Sequence, residues 1–324
     1  MKKTVSIIIP ALNAGRYLPG CLAAINRLRY PKGMTEVIVV DNGSVDETRK
    51  IARQKGALVL QYDGASVAGL RNMGAQRAAG EILAFVDADC TVSRRWLENA
   101  SIYFEDLEIV AWGSPPAVPR NATWVQKTWY IVRRKERAIQ EAKWLESMNL
   151  FVRKKQFLDE NGFNAQLRTC EDVDLCYRLR RHGKIISDWR LSVIHLGEAA
   201  TVREFFDKET WRARDNLRGI FHHGLRREEL FSLSVPIYFG VFMPLLLVGS
   251  VFMKGEGGGA ASIFFYCLPT FSALFKIGKK GATPLAALRL FALLQVYFLA
   301  RTVAPVLMRR RAARHGVGAG DGNQ

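Results

Sequence analysis

The sequence predicts an α/β fold: a mostly parallel sheet with helices on both faces, followed by a C-terminal region of transmembrane helices. Three observations predict it. Short runs rich in Ile and Val alternate with helical patterns over the first 110 residues. Those runs are apolar throughout rather than at every second position, as strands covered on both faces are. Beyond residue 230 the charges thin out over stretches long enough to enter a bilayer.

The elements follow in order. Val5 to Ile9 reads as the first strand, because the apolar run of MKKTVSIIIPALN ends in Pro and Asn, too early for a signal-peptide core. Leu18 to Leu28 has helical apolar spacing, Glu36 to Val40 is a strand, and a helix runs from the Asn42-Gly43-Ser44 turn through Ala52. Ala57 to Leu60 is a strand, Ala65 to Ala79 a helix and Ile82 to Val86 a strand. Trp124 to Leu145 reads as a basic helix. Asp172 to His182 reads as a helix closed by Gly183, and Thr201 to His223 as a third.

Ser232 to Met253 carries no charge and is long enough to span a bilayer; Ala260 to Phe275 is uncharged but short. Leu285 to Met308 is apolar but carries Arg289 and Arg301, which are costly at mid-bilayer. Positive charges at Arg226, Arg227, Lys276, Lys279 and Lys280 place the N-terminal domain and the C-terminus inside, joined by a two-span hairpin. The third segment is then an interfacial helix or a third span. The expected domains are 1–230 (cytoplasmic), 231–308 (membrane) and 309–324, a basic tail whose Gly-rich end has the composition of a disordered segment.

Composition narrows the partners. Lys and Arg outnumber Asp and Glu by 47 to 30, a net charge of +17 over 324 residues, which suggests an anionic partner. Much of the excess flanks the apolar segments, where anionic lipid explains it better than nucleic acid, and no nucleic-acid-binding motif is present. The five cysteines form no CxxC pair and read as reduced thiols.

The chemistry concentrates at strand ends, where open parallel sheets bind ligands. Asp87 and Asp89, in FVDADC, close a buried run one residue apart. On a strand both would share a face and repel unless a cation lay between them; the plainer reading is a turn. Asp41 closes the second strand and either binds a ligand or caps the next helix. Glu171 and Asp172 open a helix, where acids are also plain dipole partners. His195 follows a strand-like run, and a lone histidine is more often structural.

Four motifs in order, IIIPALN, VIVVDNGSVDET, GLRNMGAQRAAGEILAFVDADC and TCEDVDLCYRLRRHG, closely resemble the family 2 glycosyltransferases over roughly residues 4 to 225. The resemblance implies the Rossmann-like GT-A fold and an inverting, metal-dependent transfer from a nucleotide sugar, UDP-linked by family habit. It implies that Asp89 ligates Mg²⁺ or Mn²⁺ with Asp87 beside the ribose, that Asp41 holds the base beside Pro10, Ala11 and Asn13, and that Arg71 faces the phosphates. It makes Asp172 the base, with Glu171 beside it, and His195 a third metal ligand. A family Glu is replaced by Ala14. KETWRARDN lacks the Gln of the processive QxxRW motif, which argues for single sugar addition; Arg212 and Arg214 either grip a phosphate of the acceptor or simply face the membrane. The implied setting is the inner face of the cytoplasmic membrane, with a lipid-linked or glycan acceptor in surface polysaccharide assembly and Trp124, Trp129 and Trp144 as an approach surface. A polyprenyl-phosphate glycosyl synthase and a non-catalytic membrane scaffold are the alternatives.

Overall fold

Apolar runs without alternation must be covered on both faces, and β1 (Val5–Ala11) is: all seven of its residues are buried. In the computed structural model, which describes residues 3–133, 138–167, 169–213, 230–252, 257–278 and 283–315, the chain forms two contact-defined units. One comprises Met1–Asn121 and Arg133–Glu198, the other Ala122–Val132 and Ala199–Gln324. The expected boundary at 230 abuts residues 214–229, which lie outside the described ones.

The first unit begins with β1, α1 (Leu18–Ile25), β2 (Thr35–Asp41), α2 (Thr48–Gln54), β3 (Leu58–Gln61), α3 (Val67–Arg77) and β4 (Ile82–Val86). Then come β5 (Cys90–Thr91), α4 (Trp96–Ala100), β6 (Ile109–Gly113), β7 (Ile139–Glu141), β8 (Asn149–Arg153), α6 (Lys154–Asp159), α7 (Glu171–Leu179), β9 (Lys184–Asp188) and β10 (Ile194–His195); α5 (Trp124–Arg133) is spent almost wholly in the second unit. The main sheet has the order β3-β2-β1-β4-β8-β6-β9-β7. β1 to β4 are mutually parallel, while β8 and β7 run against their neighbours. The chain moves outward from β1 to β3 and returns on the other side of β1 as β4, so the order reverses between β1 and β4. A crevice opens at such a reversal, beyond the carboxyl ends of the strands.

Alternate residues of β1 supply two cores. Ile7 and Ile9 pack with Leu18, Leu22 and Ala52 on one face, and Ile8 packs with Leu70, Ala75 and Phe157 on the other. Each of these fully buried isoleucines contributes roughly 1.5–3 kcal/mol. Gly74 brings α3 close: a Cβ there would meet Ile8 Cγ2 at 2.5 Å and Val40 Cγ2 at 3.2 Å.

Three expected helices have other limits. The Trp124–Leu145 pattern is α5 only as far as Arg133, because residues 139–141 pair with β9 at the sheet edge instead. α7 starts at Glu171 and its C-cap is Arg180, not Gly183. Gly183 is needed for a close approach: a Cβ would lie 2.3 Å from the Glu108 carbonyl oxygen, where β9 begins beside β6. The third helix, α8 (Val202–Arg212), is capped by the Thr201 hydroxyl, which accepts from Glu204 N–H; its expected extension to His223 lies outside the described residues.

In the second unit α8 is followed by α9 (Leu230–Ile237), a π turn over Tyr238–Phe242, α10 (Met243–Phe252), α11 (Gly257–Gly278) and α12 (Pro284–His315). The expected first span is interrupted by this π turn, just after Pro236, which has no N–H to give to the helix. Among the described residues, one helix is long and apolar enough to cross a membrane: 284–304, the third apolar segment rather than the first. Lys254, Lys279, Lys280, Arg226, Arg227 and the tail beyond His315 lie outside the described residues. Arg301 does not stand alone in this apolar helix. Its Nη2 lies 2.9 Å from Glu209 Oε2, its guanidinium lies over Tyr297, and Glu209 Oε1 also receives Arg212 Nη1 at 2.5 Å. Trp129 packs against Phe205 and Tyr297 in this unit, so it belongs to a core rather than to an approach surface; Trp124 is exposed here, and Trp144 is exposed on the first unit.

Candidate functional site

Two loops leave the carboxyl ends of β1 and β2 and are stitched together. Pro10 and Ala11 pair with Val40 and Asp41. Asn13 takes a left-handed φ of 48°, which Asn tolerates. Its backbone N–H donates to Ser44 Oγ (2.8 Å) and its Oδ1 accepts from Val45 N–H (3.0 Å). Ala14 N–H donates to Thr48 Oγ1 (2.8 Å).

Asp41 is fully buried. Its Oδ2 accepts from Ser44 N–H (3.0 Å) and lies 3.7 Å from Arg49 Nε, while its Oδ1 has no partner among the described residues. Asp41 therefore braces the turn, whereas the helix itself starts later, at Thr48. A buried carboxylate oxygen without a donor is costly, and its presence points to a ligand that supplies one.

β4 ends at Val86, so Asp87 and Asp89 stand on a turn closed by Cys90 N–H donating to Asp87 O (3.0 Å). Asp87 Oδ1 accepts from Arg71 Nη2 (2.7 Å). Asp89 Oδ2 lies 3.2 Å from His195 Nε2, where β10 runs antiparallel to β5. Gly197 leaves this carboxylate room.

The described residues contain one cluster with metal-ligand geometry: Asp89, Cys90 and His195, their ligand atoms all within 4.8 Å of one another. Asp87 is not in it. The fit is good for a divalent cation, because a carboxylate oxygen and an imidazole nitrogen 3.2 Å apart can share one coordination sphere. His195 Nδ1 lies 3.1 Å from Glu198 Oε1, the outer carboxylate that fixes a ligating imidazole. Burial pulls the His195 pKa down, but Asp89 and Glu198 outweigh it and hold it up at about 9, so a cation held at Nε2 would displace a proton from the ring.

α7 carries the second group of acids. Cys170, just before it, sits in the left-handed region at φ 65°, an uncommon conformation for a side chain of this kind. Asp172 accepts from Val173 N–H at Oδ1 (2.8 Å) and from Ser147 N–H at Oδ2 (3.3 Å). Burial, then the nearby Glu171 and Glu146 carboxylates, push Asp172 from the ordinary 3.8 to about 7, against the pull of Arg71. Burial also raises Glu171, against Arg71. Glu171 Oε1 receives Arg71 Nη1 (2.9 Å) and the Ser147 hydroxyl (3.5 Å). Asp174 instead pairs with Arg178 at 2.6 Å, which in turn holds the Gly162 carbonyl, a structural arrangement.

The first unit thus brings together Arg71, Asp87, Glu171 and Asp172, and separately Asp89 and His195. Arg71, expected to face the donor phosphates, is 2% exposed and paired with protein acids. Arg212 belongs to the second unit and is paired with Glu209; Arg214 lies outside the described residues. Sequence reasoning did not single out Cys90, Glu198, Gly197 or Ser147. Glu198 had a signal, being three residues past His195 in the same short loop.

Comparison with known proteins agrees with this architecture. The model of the family "Glycosyl transferase family 2" matches residues 6–168, and the chain belongs to that family. Glycosyltransferase AglE of Haloferax volcanii is 32% identical over 179 residues, covering 52% of this chain and 59% of that protein. The chain thus spans little more than half of that relative's length. Among solved structures, the mannosyltransferase PcManGT from Pyrobaculum calidifontis, in complex with GDP-Man and Mn²⁺, has a TM-score of 0.67 at 17% identity over 94% of this chain and 88% of that one. GalNAc-T7 with UDP, GalNAc and Mn²⁺ has a TM-score of 0.50 at 15% identity, covering 67% of this chain and 51% of that one. At these identities the likeness establishes the GT-A fold.

Proposed function

We propose that this chain is a metal-dependent, inverting glycosyltransferase that moves one sugar from a nucleotide-sugar donor to a lipid-linked acceptor. The observation that carries the proposal is the pairing of two acid systems in one unit: the Asp89–His195 cluster, braced by Glu198, and the Glu171–Asp172 pair at the start of α7, with Asp172 near neutrality. An acid whose pKa lies close to the working pH suits a general base, which must lose its proton to accept another.

In this reading Asp41, with Pro10, Ala11 and Asn13, holds the nucleotide. One open Asp41 oxygen supports a base with a single ring N–H, such as uracil, over guanine, which presents two adjacent donors. Asp89 and His195, with Asp87 alongside, would hold Mg²⁺ or Mn²⁺. Such a cation neutralises charge developing on a departing diphosphate. Asp172 takes the proton from the acceptor hydroxyl, and the Ser147 N–H keeps its carboxylate oriented. The apolar helix 284–304 and the net charge of +17 support a chain held at an anionic membrane surface, with the first unit on the cytoplasmic side. The two-span hairpin expected of the earlier apolar segments is not part of this proposal, since among the described residues only Pro284–Ala304 is long and apolar enough to cross a membrane.

The test uses membranes containing the full chain, labelled UDP-, GDP- and dTDP-sugars, and Mg²⁺ or Mn²⁺ with and without EDTA. Metal-dependent transfer of label into the organic phase, absent with Asp89→Ala, is the expected result. Label in an aqueous polymer moves the acceptor to a glycan chain, and no turnover with any donor overturns the reading.

A further inference from the structure

Arg71 holds an unusual place for a helix-borne cation. It is almost fully buried in α3, over the ring of Phe163 at 5.6 Å. Its two terminal nitrogens go to two different acids from opposite ends of the site: Nη2 to Asp87 Oδ1 at 2.7 Å, beyond β4, and Nη1 to Glu171 Oε1 at 2.9 Å, on α7. Its Nε is buried and has no hydrogen-bond partner among the described residues. One N–H of each terminal nitrogen is engaged by a protein acid, and the near-complete burial leaves this guanidinium poorly placed to grip the donor itself.

We infer that Arg71 is a positioning residue that ties the donor-side carboxylate Asp87 to the acceptor-side pair Glu171 and Asp172, holding both halves of the site in one electrostatic frame. The inference rests on the reading of Asp172 as the base. The charged and titratable groups around Asp172 are Glu171 on its own helix, Glu146 on the loop between β7 and β8, Arg71 on α3 and the Cys176 thiol one turn along. Arg71 is the cation among them. Without it, Glu171 loses its ion-pair partner, and both Glu171 and Asp172 lose the cation that holds their pKa values down against burial.

The experiment is the pH–rate profile of sugar transfer, with donor KM and kcat separated, for wild type, Arg71→Lys and Arg71→Met in membranes containing the full chain. Arg71→Met is expected to move the acid limb of kcat upward by about one to three pH units with little change in donor KM. Arg71→Lys keeps the charge, and restores the limb most of the way but not the full rate, because an ammonium cannot span both acids as a planar fork does. If Arg71→Met does not accumulate, the double variant Arg71→Met/Glu171→Gln removes the acid that it leaves unpaired; its limb is expected to fall back toward that of wild type. A donor KM raised about tenfold or more with the acid limb unmoved, in either variant, would mean that Arg71 grips the donor, and overturns the inference while leaving the enzyme reading intact. A wild-type chain that turns over no donor overturns both.

Discussion

Asp89 occupies the space that Gly197 leaves: a Cβ on residue 197 would lie 1.8 Å from Asp89 Oδ2 and 3.2 Å from His195 Nε2. The clash is with the mobile end of one side chain, not with backbone. Gly197→Ala should therefore fold, with a thermal midpoint close to that of wild type, while Asp89 is turned away from His195. Loss of metal-stimulated transfer in a stable protein is the expected outcome; wild-type stimulation by Mn²⁺ would show that Asp89 does not need this position.

Glu198 fixes the His195 ring from its far side, 3.1 Å away. Outer carboxylates of this kind commonly contribute 10- to 100-fold in metal affinity. Glu198→Gln should raise the half-activating Mn²⁺ concentration by roughly that factor, with activity recovered at saturating metal. Titration of transfer against Mn²⁺ reads it directly.

Asp172 gives two signatures of opposite kind. Its carboxyl, raised from 3.8 to about 7, predicts a transfer rate that falls below about pH 7 as the base takes up a proton. Asp172→Asn should lower transfer by about 10²-fold or more. Stability moves the other way. A raised carboxyl binds its proton more tightly in the folded chain, so its favourable contribution is present at low pH and is lost as pH rises from about 4 to about 7. Asparagine cannot ionise. The stability of Asp172→Asn relative to wild type should thus grow across that window, by about 1–3 kcal/mol, when melts at pH 4.5 and pH 8 are compared.

Gly74 allows α3 to lie against β1 and β2, where a methyl group would meet Ile8 Cγ2 at 2.5 Å. Gly74→Ala should destabilise the first unit by about 1–3 kcal/mol, the usual cost of overpacking, despite alanine's better helix propensity. Chemical denaturation distinguishes this from the stabilisation that propensity alone would give.

The repeating strands were legible because local composition suffices for them: each contains an uninterrupted apolar run, residues 7–9, 37–40 and 82–86, with no alternation. Asp41 and Asp87 stood out as strand-end acids, whereas Glu171 and Asp172 open a helix and stood out through the family resemblance. What was not legible came from pairing at a distance. Residues 139–141 extend the basic pattern that follows Trp124, yet they pair with β9, more than 40 residues on. Arg71 was expected to face the phosphates, and only the approach of Glu171, 100 residues later, shows the protein acid that holds it. Cys90 stood beside the two aspartates, but its place near His195 depends on the β5–β10 pairing.

The ion pair between Glu209 and Arg301 also bears on how the second unit is made. The arginine sits in the helix most suited to a lipid environment, and an unpaired guanidinium would oppose the entry of that helix into the bilayer. Its counter-ion lies 92 positions earlier in the chain, on α8, and so leaves the ribosome first. Under the proposed membrane placement, the last apolar helix would enter the bilayer with its charge compensated.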